Sequence, residues 1–238
     1  ATTSSAKVTF NGTASTGGIL TYTGGTAGDD ISGGAGGDAL KGKGGNDFIF
    51  GNGGTDTLTG GDGNDAFYYT ASNQGTDSIV DFETGTNTIR MTADFVNNTA
   101  DIFDAGHVIL ADTNPTATAG TIVTVAATDY SEGATADNFW ADNHINVWTT
   151  QAGAANLNAA LTAIQGGGST IVNGQSAILV WYNSTTSLTT MTYIAAVNVA
   201  GNGTTTTTAD TMATFADVAA GDIDDSFANT NFTVQSLG

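Results

Sequence analysis

From Gly24 onward the apolar positions of the chain keep a fixed nine-residue period. Ile31, Leu40, Ile49, Leu58 and Phe67 stand nine apart, with outward-reading neighbours on both sides. The ungapped rows are GGTAGDDIS (24–32), GGAGGDALK (33–41), GKGGNDFIF (42–50), GNGGTDTLT (51–59) and GGDGNDAFY (60–68). Position one is always glycine and position six always aspartate: Asp29, Asp38, Asp47, Asp56 and Asp65. The last three residues of a row read as a short strand whose apolar side chain turns inward while its neighbours turn outward. Glycine supplies positive φ and close backbone approach in the turn between strands. Two rows then make one coil of 18 residues, and coils stack as parallel strands about 4.8 Å apart. The prediction is an all-β fold: a parallel β-roll in which Asp29, Asp47 and Asp65 line one edge and Asp38 and Asp56 the other.

The pattern weakens on both sides of the rows. After a three-residue insertion, Gly75 to Ile79 restores the row grammar, and Asp77 falls where it would complete a site with Asp56. Asp81 and Glu83, around Phe82, either bind a last ion or cap the turn. Tyr22 holds the apolar column upstream, but Leu20 stands where the aspartate belongs, so residues 1–23 read as cap strands at 8–10 and 19–22. Residues 24–91 make the roll and its closing segment. Residues 92–238 read as a β-rich domain with strands at 107–111, 121–126, 144–149, 177–182 and 191–199, and about one helix at 154–164, where Leu157, Leu161 and Ile164 recur at helical spacing. The strands 177–182 and 191–199 form a hairpin. The threonine run 204–208, after glycines at 201 and 203, reads as a loop. Trp140, Trp148, Trp181, Phe139 and Tyr182 pack the C-terminal domain.

Charge turns the pattern into chemistry. Four Lys plus Arg against 23 Asp plus Glu give a net charge of −19, which argues against nucleic acid and anionic membrane as partners. No run of about 20 apolar residues is present, so membrane insertion is not expected. Without cysteine there is no thiolate zinc site or disulfide. Residues 24–83 hold ten acids and two lysines, net −8, a charge that about four divalent ions neutralise. Two carboxylates about 5 Å apart repel by about 3 kcal/mol at an effective dielectric near 20, so files of aspartate need cations between them. Carboxylates and turn carbonyls in glycine-rich loops are hard oxygen donors, which suit calcium better than zinc or magnesium. Six inward apolar residues, Ile79 included, make a thin core, so the roll is expected to be unfolded without calcium and ordered with it.

These rows resemble the GGxGxDxUx repeat of RTX (hemolysin-type calcium-binding) proteins, which bacteria export by type I secretion. The resemblance implies that backbone carbonyls at positions two and four and the carboxylate at position six ligate calcium. Carried over, the metal ligands are Gly25, Ala27 and Asp29; Gly34, Gly36 and Asp38; Lys43, Gly45 and Asp47; Asn52, Gly54 and Asp56; Gly61, Gly63 and Asp65. Asp77 joins them as a candidate from the row grammar, and Asp81 as one from the segment that resembles the closing segment of such rolls. Lys43 and Asn52 depart from glycine at position two, and Ala27 departs from it at position four. The resemblance also implies about four or more calcium ions, the type I secretion apparatus as a partner, and a location outside a Gram-negative-type bacterium, secreted or on its surface. The acidic stretch 222–225 followed by the apolar tip 231–238 is similar to the uncleaved export signal of such proteins.

Catalysis finds no support. His107 and His144 have no metal-ligand spacing, there is no HExxH, no GxSxG and no phosphate-binding loop. The chain starts at Ala1, which reads as a processed or excised piece. The expected function is an extracellular calcium-binding structural module, part of a surface-layer or adhesin-like protein, with self-assembly or a cell-surface polysaccharide as a further partner. The surface-layer likeness rests on composition alone. The alternatives are the secretion and folding domain of an enzyme or toxin whose catalytic domain lies upstream, and a small binding protein that recognises its ligand through residues 92–238.

Overall fold

The computed structural model describes residues 5–71, 74–83, 86–92, 122–124, 128–130, 145–148, 153–166, 177–200, 204–227 and 231–235. The roll runs β1 (Thr9–Asn11), β2 (Thr21–Thr23), β3 (Asp30–Ser32), β4 (Ala39–Gly44), β5 (Phe48–Phe50), β6 (Thr57–Asp62), β7 (Ala66–Tyr69), β8 (Asp77–Ile79) and β9 (Thr88–Thr92). Then follow β10 (Ile122–Thr124), β11 (Thr128–Tyr130), β12 (Ile145–Trp148), α1 (Leu157–Gly166), β13 (Ala177–Asn183) and β14 (Leu188–Ala200). The chain closes with β15 (Thr204–Phe215), α2 (Ile223–Ser226) and β16 (Phe232–Gln235).

Successive rows alternate between two sheets, as the period requires. The first sheet is ordered β1-β3-β5-β7-β9-β16-β10 and the second β11-β12-β13-β14-β15-β8-β6-β4-β2. Within the roll all pairings are parallel, and the apolar columns face one another rung by rung: Phe10, Ile31, Ile49, Phe67 and Ile89 on one side, Tyr22, Leu40, Leu58 and Ile79 on the other. The interior is therefore a single file of side chains per sheet. Aromatic rings close its two ends. Phe10 stacks on Tyr22 at 4.4 Å at the first coil, and a cluster of Phe82, Phe215, Phe227 and Phe232 plugs the last.

The C-terminal segments do not stand apart from the roll. Strand β15 adds to β8 in parallel, with Phe215 opposite Ile79. Strand β16 adds to β9, with Phe232 opposite Ile89. Each sheet thus gains one more rung from residues more than 120 positions downstream, and both sheets cross the boundary expected at residue 91.

The hairpin forms as expected, β13 against β14, and Asn183 fixes its turn by accepting the N–H groups of Thr185 (3.0 Å) and Thr186 (3.2 Å). The helix starts later than expected. Asn156 caps it by accepting the Ala159 N–H at 3.0 Å, a role asparagine favours, and Ala154 bridges to Asn183 instead. One reading is corrected outright: Thr204 to Thr208 belong to β15, paired antiparallel with β14. β-branched threonine fits an extended strand well, and the glycines beside the run drew attention to the turn rather than to the strand it introduces. Strand 107–111, His107, His144, Phe139 and Trp140 lie outside the described residues. Trp181 is buried in the sheet, donating its indole N–H to Thr192. No helix of the described residues is long and apolar enough to cross a membrane.

Candidate metal centre

The row grammar has a mechanical basis in the turn. A Cβ at position one would collide with the carboxylate of the same row's aspartate: Gly24 with Asp29, Gly33 with Asp38, Gly42 with Asp47, Gly51 with Asp56 and Gly60 with Asp65. Position one is glycine because the carboxylate folds back over it and, at Gly24, Gly33 and Gly42, because a backbone carbonyl of the next coil closes the same space. The expected positive φ is not found there. It lies at positions two and four of the last three rows: Lys43 (84°), Gly45 (99°), Asn52 (68°), Gly54 (115°), Gly61 (106°) and Gly63 (133°).

All six aspartates of the two files are at most 3% exposed. They are held there by a ladder. The Asp29 N–H donates to Asp47 Oδ1 at 2.6 Å and the Asp47 N–H to Asp65 Oδ1 at 2.8 Å. On the other edge the Asp38 N–H donates to Asp56 Oδ1 at 2.7 Å and the Asp56 N–H to Asp77 Oδ1 at 3.1 Å. The first coil enters the same ladder through Val8 and Leu20, whose N–H groups donate to Asp29 and Asp38 at 2.7 Å each.

The second carboxylate oxygens divide the turns into two states. In the first two rows they accept the position-two amides, Gly25 N–H to Asp29 Oδ2 (2.9 Å) and Gly34 N–H to Asp38 Oδ2 (2.7 Å). In the last three rows, where the backbone is left-handed, Oδ2 of Asp47, Asp56 and Asp65 is buried with no hydrogen-bond partner. A buried carboxylate oxygen without a donor is costly, and a cation is what it lacks.

The electrostatics agree. Burial pushes Asp47 up to about 6, with the Asp65 and Asp29 charges adding to it and the Asp29 N–H opposing it. Asp56 rises to about 6 for the same reasons, burial first and the Asp38 charge behind it. Asp65 is raised by burial and by Asp81 and Asp62. Asp77, at the end of its file, rises to about 8, mainly by burial. The buried Tyr69 hydroxyl stands beside it without reaching hydrogen-bond geometry.

Asp81 and Asn87 end the two-edged structure. Asp81 caps a turn: its carboxylate accepts the N–H groups of Gly60 (2.9 Å) and Gly61 (2.8 Å). Glu83, its companion, takes a hydrogen bond from the Ser226 hydroxyl. Asn87 was not expected. Its Oδ1 accepts the Asp65 N–H at 2.7 Å, so it continues the file Asp29, Asp47, Asp65, and its amide donates to the carbonyls of Asp81 (3.1 Å) and Phe82 (3.0 Å). A carboxylate can only accept, so the last member of the file has to be the amide. The signal was present: Gly85, Asn87 and Ile89 keep the row spacing of glycine, position six and apolar residue.

Residues 32–67 match the family model of the RTX calcium-binding nonapeptide repeat, in four copies. This segment is an RTX repeat array. No curated protein and no solved structure matches the chain significantly. The RTX match leaves out most of the first row, where Ala27 breaks the grammar, and the closing rung at Asp77. RTX repeats bind calcium, and this array fits the ion on its own geometry: three orphaned buried carboxylate oxygens, all-oxygen donors and glycine turns. Among the described residues no three acidic or histidine side chains converge on one point.

Lys43 is the weak point of the array. At φ 84° its Cβ is strained, a conformation that costs roughly 1–2 kcal/mol for a non-glycine residue. Lys43→Gly is expected to raise the denaturation free energy of the calcium-loaded chain by about 1 kcal/mol, whereas Gly61→Lys, at the equivalent place in the last row, lowers it; urea denaturation of both variants checks the pair.

Proposed function

We propose that the chain is an extracellular structural module, exported unfolded through a type I apparatus, whose roll folds when it meets external calcium. The observation that carries this reading is the set of buried, unpartnered oxygens on Asp47, Asp56 and Asp65, flanked on each edge by the next aspartate of the file. The calcium ligands in this reading are those carboxylates with Asp29, Asp38 and Asp77 and the position-two and position-four carbonyls of the rows: Gly25, Ala27, Gly34, Gly36, Lys43, Gly45, Asn52, Gly54, Gly61 and Gly63. Asp81 contributes by holding the last turn. The carbonyls of Gly25 and Gly34 already accept rung amides from Gly44 (3.3 Å) and Gly53 (3.0 Å), which leaves each a second lone pair. Bound calcium cancels the repulsion along each file and supplies the missing partner of Oδ2. Sites of the 10⁻⁴–10⁻³ M class stay empty in cytosol and fill outside the cell.

The threonine-, alanine- and glycine-rich remainder and the absence of a catalytic constellation support a surface-layer or adhesin-like host over an enzyme tail. The test is sedimentation and light scattering of the chain in millimolar calcium. Growth into large particles that chelator reverses is the expected result. A calcium-loaded chain that stays monomeric at high concentration overturns the surface-layer reading and favours the folding domain of a secreted enzyme or toxin.

A further inference from the structure

At position two of the fourth row, asparagine replaces the glycine of the repeat, and a glycine follows it: Asn52-Gly53. The asparagine does more than fill a left-handed turn at φ 68°. Its amide donates twice across the coil boundary, to Ser32 Oγ at 2.9 Å and to the Gly33 carbonyl at 2.8 Å. The next N–H along the chain, that of Gly53, donates to the Gly34 carbonyl at 3.0 Å. Residues 52 and 53 are thus pinned to the coil before them, in the row whose Asp56 Oδ2 is buried without a partner.

Asparagine followed by glycine is well placed for one reaction, because glycine has no Cβ to shield its nitrogen. The Gly53 nitrogen, once its proton has passed to solvent, attacks Asn52 Cγ. The N–Cγ bond forms, the Cγ–Nδ2 bond breaks, and Nδ2 takes a proton from solvent and leaves as ammonia. Water then opens the cyclic succinimide at either carbonyl, which leaves aspartate or isoaspartate at position 52. The folded roll opposes every part of this. The Gly34 carbonyl holds the Gly53 proton, Ser32 and Gly33 hold the leaving nitrogen, and the ladder fixes the backbone between them. Opening of the coil releases all of these together.

We propose that Asn52-Gly53 is a deamidation site gated by folding: it reacts while the roll is open, is closed once the roll forms, and its product hinders the roll from forming. A carboxylate can only accept, so it cannot donate to the Gly33 carbonyl, and two oxygens meet where a hydrogen bond stood. Isoaspartate also lengthens the main chain by one carbon inside the left-handed turn. A chain left open therefore loses, irreversibly, its capacity to complete this edge of the roll. That calcium sets the length of the open interval rests on the calcium-driven folding proposed above; the gating by the fold does not. The chain has further Asn-Gly pairs at Asn11, Asn173 and Asn202, so the readout has to be local to residue 52.

The test is peptide mapping by mass spectrometry of the whole chain aged at pH 8 in millimolar calcium, in chelator, and in chelator with guanidinium chloride, with circular dichroism of each sample. Conversion at residue 52 about tenfold or more faster in guanidinium than in calcium is expected. Chains aged in guanidinium, then returned to calcium, should need a higher calcium concentration to regain β structure. Asn52→Gly, aged alongside, should keep more of its calcium response than the parent. Equal conversion in calcium and guanidinium, with the calcium sample folded, overturns the proposal. So does an equal loss of calcium response in parent and Asn52→Gly, which traces the damage to the other Asn-Gly pairs, or no loss in a parent converted at residue 52. A chelator sample that stays folded and unconverted supports the gate and overturns calcium-driven folding instead, so the two failures are separable.

Discussion

Replacing Phe82 with alanine is expected to lower the stability of the calcium-loaded chain by about 3–5 kcal/mol, the usual cost of deleting a buried aromatic ring. Phe82 is 2% exposed and joins the roll to the C-terminal strands. Its ring stacks on Phe227 (5.0 Å, 19°), meets Phe215 edge-on (5.0 Å, 68°) and reaches Phe67 of the last full row at 6.4 Å. The interior of the roll is only one side chain deep per sheet, so the neighbours have little from which to refill the cavity. The rungs β15 and β16 rest against the same cluster, and the loss should therefore uncouple the two parts of the chain. Urea denaturation followed by circular dichroism reads both effects: a lower midpoint, and a shallower or two-step transition. An Ile31→Val change, inside the file but away from this junction, should cost only about 0.5–1.5 kcal/mol. A Phe82→Ala loss no larger than that would mean the cluster does not hold the end of the roll.

The second large effect concerns Asp77 and has a definite sign with pH. Burial holds its folded pKa near 8 against an ordinary value of 3.8. A group whose folded pKa is raised contributes stability that is fully present below its unfolded pKa and is lost as pH climbs to the folded one. Metal-free chain should therefore be most roll-like near pH 4 and lose β structure toward pH 8, with Asp47 and Asp56, both near 6, acting in the same direction. Asparagine imitates the protonated acid at all pH values. Asp77→Asn should keep its metal-free β signal to markedly higher pH than the parent chain and match it at pH 4. In calcium the order reverses, because the variant has lost a carboxylate. Circular dichroism of both chains in metal-free buffer across that window is the measurement. Identical pH profiles would show that Asp77 is not the buried acid described.

How much was legible follows from how many constraints each residue type answers. The columns were legible because each is ruled by one: inward apolar side chains and position-six carboxylates repeat through all five rows, and their rung-by-rung pairing was as expected. Position-one glycine was read for positive φ, yet it is glycine because Asp Oδ2 folds over it; one residue type serves both needs, and the sequence cannot separate them. Lys43 and Asn52 show the reverse, since the left-handed turn falls where two rows have no glycine. Asn87 is not legible as a member of the file, because every earlier member is a carboxylate while this end faces two carbonyls and requires a donor. Phe215 and Phe232 continue the inward columns from far downstream, where no period marks them, so the extra rungs were visible only in the fold.

The central claim is that calcium, not the thin apolar file, holds the roll together. Amide hydrogen exchange of chelator-stripped chain at pH 8, repeated through a calcium titration to millimolar concentration, tests it at the ladder itself. The account predicts that the N–H groups of Asp29, Asp38, Asp47, Asp56 and Asp65, which donate along the two files, exchange freely in chelator and become protected together as calcium rises. Protection of those five amides at the same level in chelator as in calcium would contradict it.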